Sequence, residues 1–435
     1  MSIEKAEILK IDDIFKLNLS IPNYQRPYKW TIKNVQQLID DLLQNFREGK
    51  KIYRIGTIVL NKDKDRSEIV DGQQRLITLS LLLHKLGKED VSLLEEKPNH
   101  SISKNNITTN YNFLKNYNFT NEFKDYLLKG CEMVCIELDN LDEAFQFFDS
   151  QNARGKPLES YDLLKAYHLR DMRDKDKKVI HQCVERWEKS AMSNDINNLD
   201  KIINYILFRL RRWHYKENAE IFTSDELDTF KGVHEKADYP YLHGILATHT
   251  IQKLSHENPF LYRSISAFQS TQVLINGKYF FDYIEYYTAI YASLFRKENG
   301  LLSKIHRIKG IDLPEGLIAF LNNHNYSYRV GDKYIRNLFE CTVLFYFDKF
   351  GESHFEEFIT KAFLWAYRIR VENQRIPFET IEKKAHDAAG LISYIERSIT
   401  PEQVMRFIQQ TGKVNFSKHV DPKIKEILEI KDENK

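Results

Sequence analysis

Apolar side chains recur at helical intervals along most of this chain, and strand-like runs interrupt them near its start. Between residues 31 and 49 they fall on one face, which predicts an amphipathic helix with Thr31 as N-cap and Gly49 at its end. Residues 55–60 and 68–70 are rich in β-branched side chains, and the polar residues between them suit a hairpin turn. Residues 133–138 predict a further strand, and residues 142–150 predict a further helix.

The rest of the pattern divides the chain into two regions. Residues 87–110 are polar and without periodicity, and they predict an irregular insertion. Beyond about residue 163 the spacing is almost wholly helical, with no strong strand run. We therefore predict an α+β fold, in which a mixed α/β N-terminal domain at residues 1–170 precedes a large all-helical region at residues 171–435.

Composition narrows the class of protein without indicating a function. A hydrophobic content of 42% and a charged content of 29% are those of an ordinary globular protein. No apolar run approaches the roughly 18 residues that cross a bilayer, and the first residues lack the apolar segment of a secretory signal. The four cysteines form no Cys-x-x-Cys pair. We therefore expect a cytoplasmic protein with no membrane partner.

The order of strand, polar turn and helix at residues 68–78 predicts an anion site. The first turn of a helix carries unpaired backbone N–H groups and the positive end of the helix dipole, and phosphate can bind there. Gly72 permits a positive φ or a close ligand, and Arg75 can grip a phosphate with two parallel hydrogen bonds. The two glutamines between them can each donate or accept. The alternative is a capped surface turn, with Asp71 as N-cap and Arg75 solvated.

The same turn resembles a family signature. Its sequence Asp-Gly-Gln-Gln-Arg at residues 71–75, followed by Thr78, is similar to the signature of the ParB/sulfiredoxin-like N-terminal domain of GmrSD-type proteins. Those are NTP-dependent, type IV (modification-dependent) restriction systems of bacteria. Further stretches, in family order, resemble its opening motif, its glycine-bearing strand, its Asn-x-Arg-Gly loop and the helix that follows, at residues 21–30, 54–60, 147–158 and 162–165.

The resemblance implies a bound nucleoside triphosphate together with Mg²⁺, whose protein ligands stay unassigned. The residues expected to bind the nucleotide are Gln25, Arg26, Gly56, Gly72, Gln73, Gln74, Arg75, Thr78, Asn152 and Gly155. Those expected to act in catalysis are Asp71, Arg75 and Arg154. An arginine from a separate loop can stabilise the charge that develops in phosphoryl transfer. Two alternatives remain open: Asp71 only caps the helix, and the Asn-x-Arg-Gly loop is only a helix-ending turn.

A second candidate site is the basic and aromatic stretch at residues 209–216. Formal net charge is only +2, so any DNA contact must come from a local patch of this kind. The residues expected to bind DNA phosphates are Arg209, Arg211, Arg212 and Lys216. The alternative is a core-facing helix, because apolar residues from Ile202 to Leu210 recur at helical spacing.

Two motifs are absent from the sequence. It contains no Walker loop, and too few residues follow His419 for a nuclease motif of His-Asn-His type. We therefore expect an NTP-binding and NTP-hydrolysing sensor subunit of an anti-phage restriction system, with DNA cleavage supplied by a nuclease partner of His-Asn-His type. The alternative is a non-catalytic DNA-binding or scaffold protein that uses the nucleotide only as a switch. A sulfiredoxin-like phosphotransferase fits less well, because no cysteine lies in the motif.

Overall fold

The computed structural model divides the chain into two compact units, Met1–Glu188 and Lys189–Lys435, and each is described by itself. It describes residues 5–22, 25, 27–63, 66–88, 91–94, 101–138, 160–172, 175–191, 193, 198–257, 269–408 and 419–428. The first unit contains a mixed sheet with helices and the second is helical, so the predicted α+β class is confirmed. The predicted division after residue 170 lies at the C-terminal end of the helix Ser160–Arg170.

A five-stranded sheet forms the centre of the first unit, in the order β1-β5-β3-β4-β2. Its strands are β1 Lys5–Lys10, β2 Leu19–Ser20, β3 Tyr53–Asp63, β4 Arg66–Asp71 and β5 Cys131–Leu138. Strands β3 and β4 pair antiparallel, which confirms the predicted hairpin. Both strands are longer than predicted, because the ladder continues through polar residues near the turn and backbone pairing does not require apolar side chains there.

Helices α2 (Ile32–Arg47) and α3 (Gln73–Lys85) share an apolar core with this sheet. Helix α2 follows its amphipathic pattern, with a capping box between Thr31 and Asn34 and with Gly49 just beyond its C-terminus at a φ of +70°. The helices are α1 Ile11–Ile14, α2 Ile32–Arg47, α3 Gln73–Lys85, α4 Ser101–Lys115, α5 Asn121–Asp125, α6 Ser160–Arg170 and α7 Lys177–Ala191, with a π-helical turn at Tyr126–Gly130.

Helix α4 corrects the prediction of an irregular insertion at residues 87–110. It begins at Ser101, inside that stretch, and packs against α3. The prediction was wrong because the inward face of α4 is partly polar. Its Ser103, Asn106 and Asn110 hydrogen-bond to Tyr28, and these polar positions interrupt the apolar residues, such as Ile107 and Leu114, that the helix also places against the core. The helix predicted at residues 142–150 lies outside the described residues.

The core of the first unit lies between the sheet and helices α2 and α3. Strand β3 and helix α3 both contribute side chains that are completely buried, such as Leu60 and Leu79. Truncating one such leucine to alanine typically costs about 2–5 kcal/mol of stability. This packing fixes α3, and with it the turn at its N-terminus, against the sheet.

The second unit is built from helices, with one small antiparallel pair of strands, β6 Arg307–Ile308 and β7 Ile311–Asp312, among its described residues. A π-helical segment, Lys201–Leu207, leads directly into the first of its α-helices. They are α8 Phe208–His214, α9 Pro240–Glu257, α10 Lys278–Phe295, α11 Gly316–Asn323, α12 Val330–Phe350, α13 Phe355–Glu372, α14 Phe378–His386, α15 Leu391–Arg397, α16 Pro401–Met405 and α17 Pro422–Ile427.

Aromatic side chains join the two long helices α12 and α13. The rings of Tyr346 and Phe358 stack with centroids 3.7 Å apart, and both residues are fully buried. Among the residues described, no helix combines the length and apolarity that a membrane span requires.

Candidate functional site

The turn between β4 and α3 has the geometry that its sequence predicts. Strand β4 ends at Asp71, Gly72 is left-handed with a φ of 92°, and α3 begins at Gln73. A Cβ at Gly72 would lie 2.6 Å from Cγ2 of Ile58, so both the backbone conformation and the space require glycine. The N-cap is Gly72, which has no side chain that could cap the helix. The N–H groups of the first turn of α3 therefore lie at the end of β4, where an anion can bind.

The guanidinium of Arg75 packs against strand β3 at Gly56. Its Nη1 is 1.9 Å from the position that a Cβ of Gly56 would take, and Gly56 has a φ of +150°. The pairing of β3 with β5 shifts register between Arg54 and Gly56, so the contact falls at a β-bulge. Only a glycine leaves room for the guanidinium here. Gly56 thus provides the surface on which Arg75 rests, a role that the sequence did not reveal.

The guanidinium of Arg75 is positioned by Gly56 and Asp71 but is not hydrogen-bonded to Asp71. Its Nη2 lies 3.7 Å from Oδ2 of Asp71, which is longer than a hydrogen bond, and the two side chains are 26% and 27% exposed. Within the described part of the chain it donates no hydrogen bond to the protein. Its N–H groups can therefore donate hydrogen bonds to a ligand, and the neighbouring carboxylate keeps the cation oriented.

Gln74, by contrast, is already occupied by protein. Its Oε1 accepts from the backbone N–H groups of Lys29 and Trp30 at 2.8 and 3.2 Å, and its Nε2 donates to the carbonyl of Pro27 at 3.2 Å. One side chain thus satisfies three backbone groups of the segment that precedes α2. Gln74 therefore fixes this segment in place. The predicted contact between Gln74 and a nucleotide stays a prediction.

Tyr28 and Thr78 fix the same segment from inside. The hydroxyl of Tyr28 lies 2.8 Å from Oγ1 of Thr78, which itself donates to the carbonyl of Gln74, and Asn110 donates to Tyr28 at 3.0 Å. Tyr28 and Thr78 are fully buried, and burial raises the pKa of Tyr28. Thr78 therefore supports the site from beneath, and it does not face solvent.

The remaining residues predicted to bind the nucleotide differ in their hydrogen bonds and burial, and some lie outside the described residues. Gln25 donates through Nε2 to the carbonyls of Ile69 and Val70, at 2.9 and 2.6 Å, and so anchors its segment to the end of β4. Gln73 is only 7% exposed, and within the described residues its side chain has no hydrogen-bond partner. Arg26, Asn152, Arg154 and Gly155 lie outside the described residues.

A cluster that the sequence did not indicate lies in the same unit. Nζ of Lys165, on α6, is 2.6 Å from Oε1 of Glu188 on α7, and both side chains are almost completely buried. Nζ of Lys29 lies 4.0 Å from the other carboxylate oxygen of Glu188. These residues are far apart in the chain and share no motif spacing, so only the tertiary structure brings them together.

The predicted DNA-binding stretch requires a correction. Arg209 and Arg211 are only 2% and 5% exposed. The guanidinium of Arg209 donates to Asn337 and to the carbonyl of Ala219, and that of Arg211 donates to the carbonyls of Thr229, Ser270 and Gln272. These two arginines are therefore not available to DNA phosphates in this structure. The alternative, a core-facing helix, describes them.

Arg212 and Lys216, in the same stretch, are nearer the surface. Arg212 pairs with Glu217 at 2.9 Å and donates to the carbonyl of Asn218, so its charge is also used within the protein. Lys216 is exposed, with a positive φ of 61°, and its Nζ lies 3.3 Å from Oγ of Ser393. Of the four residues predicted to contact DNA, Lys216 is the one that is exposed.

Comparison with known proteins identifies the class of the first unit. Residues 8–169 match the family model described as GmrSD restriction endonuclease, N-terminal domain. The chain thus carries the N-terminal domain of a GmrSD-type restriction system protein, as its motifs predict, and this supports a role in such a system.

The rest of the chain matches a second family. Residues 179–422, more than half of the chain, match the Family of unknown function (DUF7834), and the chain belongs to this family. No curated protein matches the chain.

Proposed function

We propose that the first unit binds a nucleoside triphosphate at the first turn of α3, with phosphates held by the backbone N–H groups of that turn and by Arg75. The observation that carries this proposal is the state of the Arg75 guanidinium. It rests on Gly56 beside Asp71, yet within the described residues it donates no hydrogen bond. A cation that is already fixed in place loses little conformational entropy when it binds an anion.

Two further features of the turn support an anionic ligand. Helix α3 is 13 residues long, and the positive end of its dipole lies at this turn. Gln73, the first residue of α3, is 7% exposed, and its side chain makes no hydrogen bond to another described residue. Its amide can donate to a phosphate or ribose oxygen.

Mg²⁺ would enter this site mainly through the nucleotide. Within the described residues no group of three or more His, Cys, Asp or Glu side chains could hold a metal ion. Magnesium in phosphate sites is commonly bound by one or two carboxylates, several waters and the phosphates themselves. Asp71 supplies a carboxylate at the turn. We propose that it holds the hydrated ion or orients the attacking water.

Hydrolysis of the nucleotide is the second part of the proposal. We assign Arg154, on the Asn-x-Arg-Gly loop, to stabilising the charge that develops on the transferred phosphoryl group. The protein would then act as the NTP-dependent sensor of a restriction system, with DNA cut by a nuclease partner of His-Asn-His type. The GmrSD N-terminal domain at residues 8–169 supports this assignment. Any contact with DNA would use residues other than Arg209 and Arg211.

Calorimetry on the full chain tests the binding step. ATP and GTP with Mg²⁺ are titrated into the wild type and into Arg75→Ala. The variant should lose about 1.5–3 kcal/mol of binding free energy, the range for charge-assisted contacts, or roughly ten- to 150-fold in Kd. Arg54→Ala is the matched control, because Arg54 lies on β3 near the same bulge but points to Glu132 at 2.7 Å. Absence of heat with every nucleotide would refute the proposal.

The alternative is a protein that binds the nucleotide only as a switch. It is separated from an NTPase by measuring phosphate release at saturating nucleotide. Release above the background of a Arg75→Ala sample identifies hydrolysis, whereas tight binding without release favours the switch.

A further inference from the structure

Three charged side chains of the first unit form a cluster in which one positive charge is left over. Lys165 and Glu188 are 0% and 2% exposed, and their 2.6 Å contact makes a complete buried ion pair. Lys29 approaches the free carboxylate oxygen only to 4.0 Å, and 44% of its side chain is exposed. Because Lys165 already neutralises Glu188, the carboxylate does not depend on Lys29.

Lys29 also stands beside the candidate anion site. Its backbone N–H donates to Oε1 of Gln74, the second residue of α3, at 2.8 Å. At the other end of the same segment, Gln25 donates to the carbonyl of Val70, next to the turn. The segment that carries Lys29 therefore flanks the turn between β4 and α3, and its backbone is fixed there.

We propose that Lys29 is a second phosphate-binding cation of this site, which leaves Glu188 for the phosphates of a bound nucleotide. This inference rests on the proposed function. The 4.0 Å contact is longer than a hydrogen bond, and the flexible four-carbon stem of a lysine allows its ammonium group to move. When Lys29 moves, Glu188 keeps Lys165, so no buried charge is left unpaired. A phosphate offers Lys29 a charge-assisted hydrogen bond in exchange.

The experiment compares two probes in calorimetry of the full chain: ATP with Mg²⁺, and inorganic tripolyphosphate with Mg²⁺. The variants are Lys29→Gln and, as matched control, Lys33→Gln, which removes an exposed lysine from the start of α2. Lys29→Gln should bind both probes about ten-fold more weakly or worse, and Lys33→Gln should bind as the wild type does. Because the Lys165–Glu188 pair is intact, the Tm of Lys29→Gln should match that of the wild type.

Arg75→Ala is titrated with the same two probes, and four outcomes would overturn the inference or the proposal beneath it. If Lys29→Gln binds both probes with wild-type affinity, Lys29 is not a ligand residue. If it loses affinity for ATP but not for tripolyphosphate, Lys29 contacts the base or ribose and the phosphate assignment is wrong. If the wild type binds neither probe, or if Arg75→Ala binds both normally, the site itself is misplaced and both proposals fall.

Discussion

Replacing Gly56 by alanine should disable the candidate site without removing any of its charged groups. The new Cβ would stand 1.9 Å from Nη1 and 3.2 Å from Cζ of Arg75. To restore an ordinary contact of 3.4 Å or more, the guanidinium must move by roughly 1.5 Å. A displacement of about 1 Å in a positioned group can lower function by about a hundred-fold.

The size of the effect follows from what Arg75 loses. We expect Gly56→Ala to weaken nucleotide binding about as much as Arg75→Ala, by about ten-fold or more. The variant should also be less stable by about 1–3 kcal/mol, because Gly56 has a φ of +150° that alanine rarely adopts. The control is Gly49→Ala, which has a φ of +70° and no atom within 4 Å of the new Cβ. It carries a backbone penalty without a clash.

Two measurements on each variant decide the matter. Urea denaturation gives the loss of stability, and calorimetry with ATP and Mg²⁺, well below the melting transition, gives the affinity of the folded protein. Gly49→Ala should be destabilised and bind normally, and Gly56→Ala should be destabilised and bind poorly. If Gly56→Ala binds ATP as tightly as the wild type, the orientation of Arg75 by Gly56 does not matter for the ligand, and the preorganisation argument is refuted.

Three further predictions concern turnover, pH and DNA. Arg154→Ala should lower phosphate release far more than nucleotide affinity, and unchanged release would make its loop structural. Burial raises the pKa of Asp348 from 3.8 to about 6, so its ionisation opposes folding as pH rises through that range. This shift in pKa corresponds to about 3 kcal/mol of folding stability, which is lost as the pH rises. A plot of the free energy of unfolding against pH should therefore be flatter for Asp348→Asn than for the wild type in this range, and two parallel plots would contradict the assignment. The purified chain with NTP and Mg²⁺ should leave modified phage DNA intact until a nuclease partner is added; cleavage by the chain alone, lost on a point mutation in it, would falsify the division of labour.

Local signals predicted the turn and the helix that follows it. A β-branched run, a glycine and a helical repeat of leucines all lie within residues 68–86, so no distant contact was needed to place them. The amphipathic helix α2 was equally local. The family signature at residues 71–75 was specific because its residue types carry the chemistry of the site.

What the sequence could not show depends on contacts between distant segments. The sequence left both a surface patch and a core-facing helix open for the basic stretch of α8, and it did not show that the guanidinium of Arg211 donates to carbonyls that lie 18 to 61 residues away. The inward face of helix α4 contains polar residues that hydrogen-bond to Tyr28, so the apolar pattern alone did not indicate a helix there. The supporting role of Gly56 arises only because a bulge brings β3 beneath Arg75. In each case the contacting residue is distant in the sequence, so the contact depends on the tertiary structure and no local pattern predicts it.

Trp30 offers a spectroscopic view of the turn. The chain has four tryptophans, and three of them, Trp187, Trp213 and Trp365, are at most 4% exposed. Trp30 is half-buried, donates its backbone N–H to Gln74 and accepts from Asn110. A soluble quencher such as acrylamide therefore reaches Trp30 most readily, and the quenchable part of the intrinsic fluorescence comes mainly from the segment that flanks α3. Occupancy of the site can then be followed optically in the unlabelled protein.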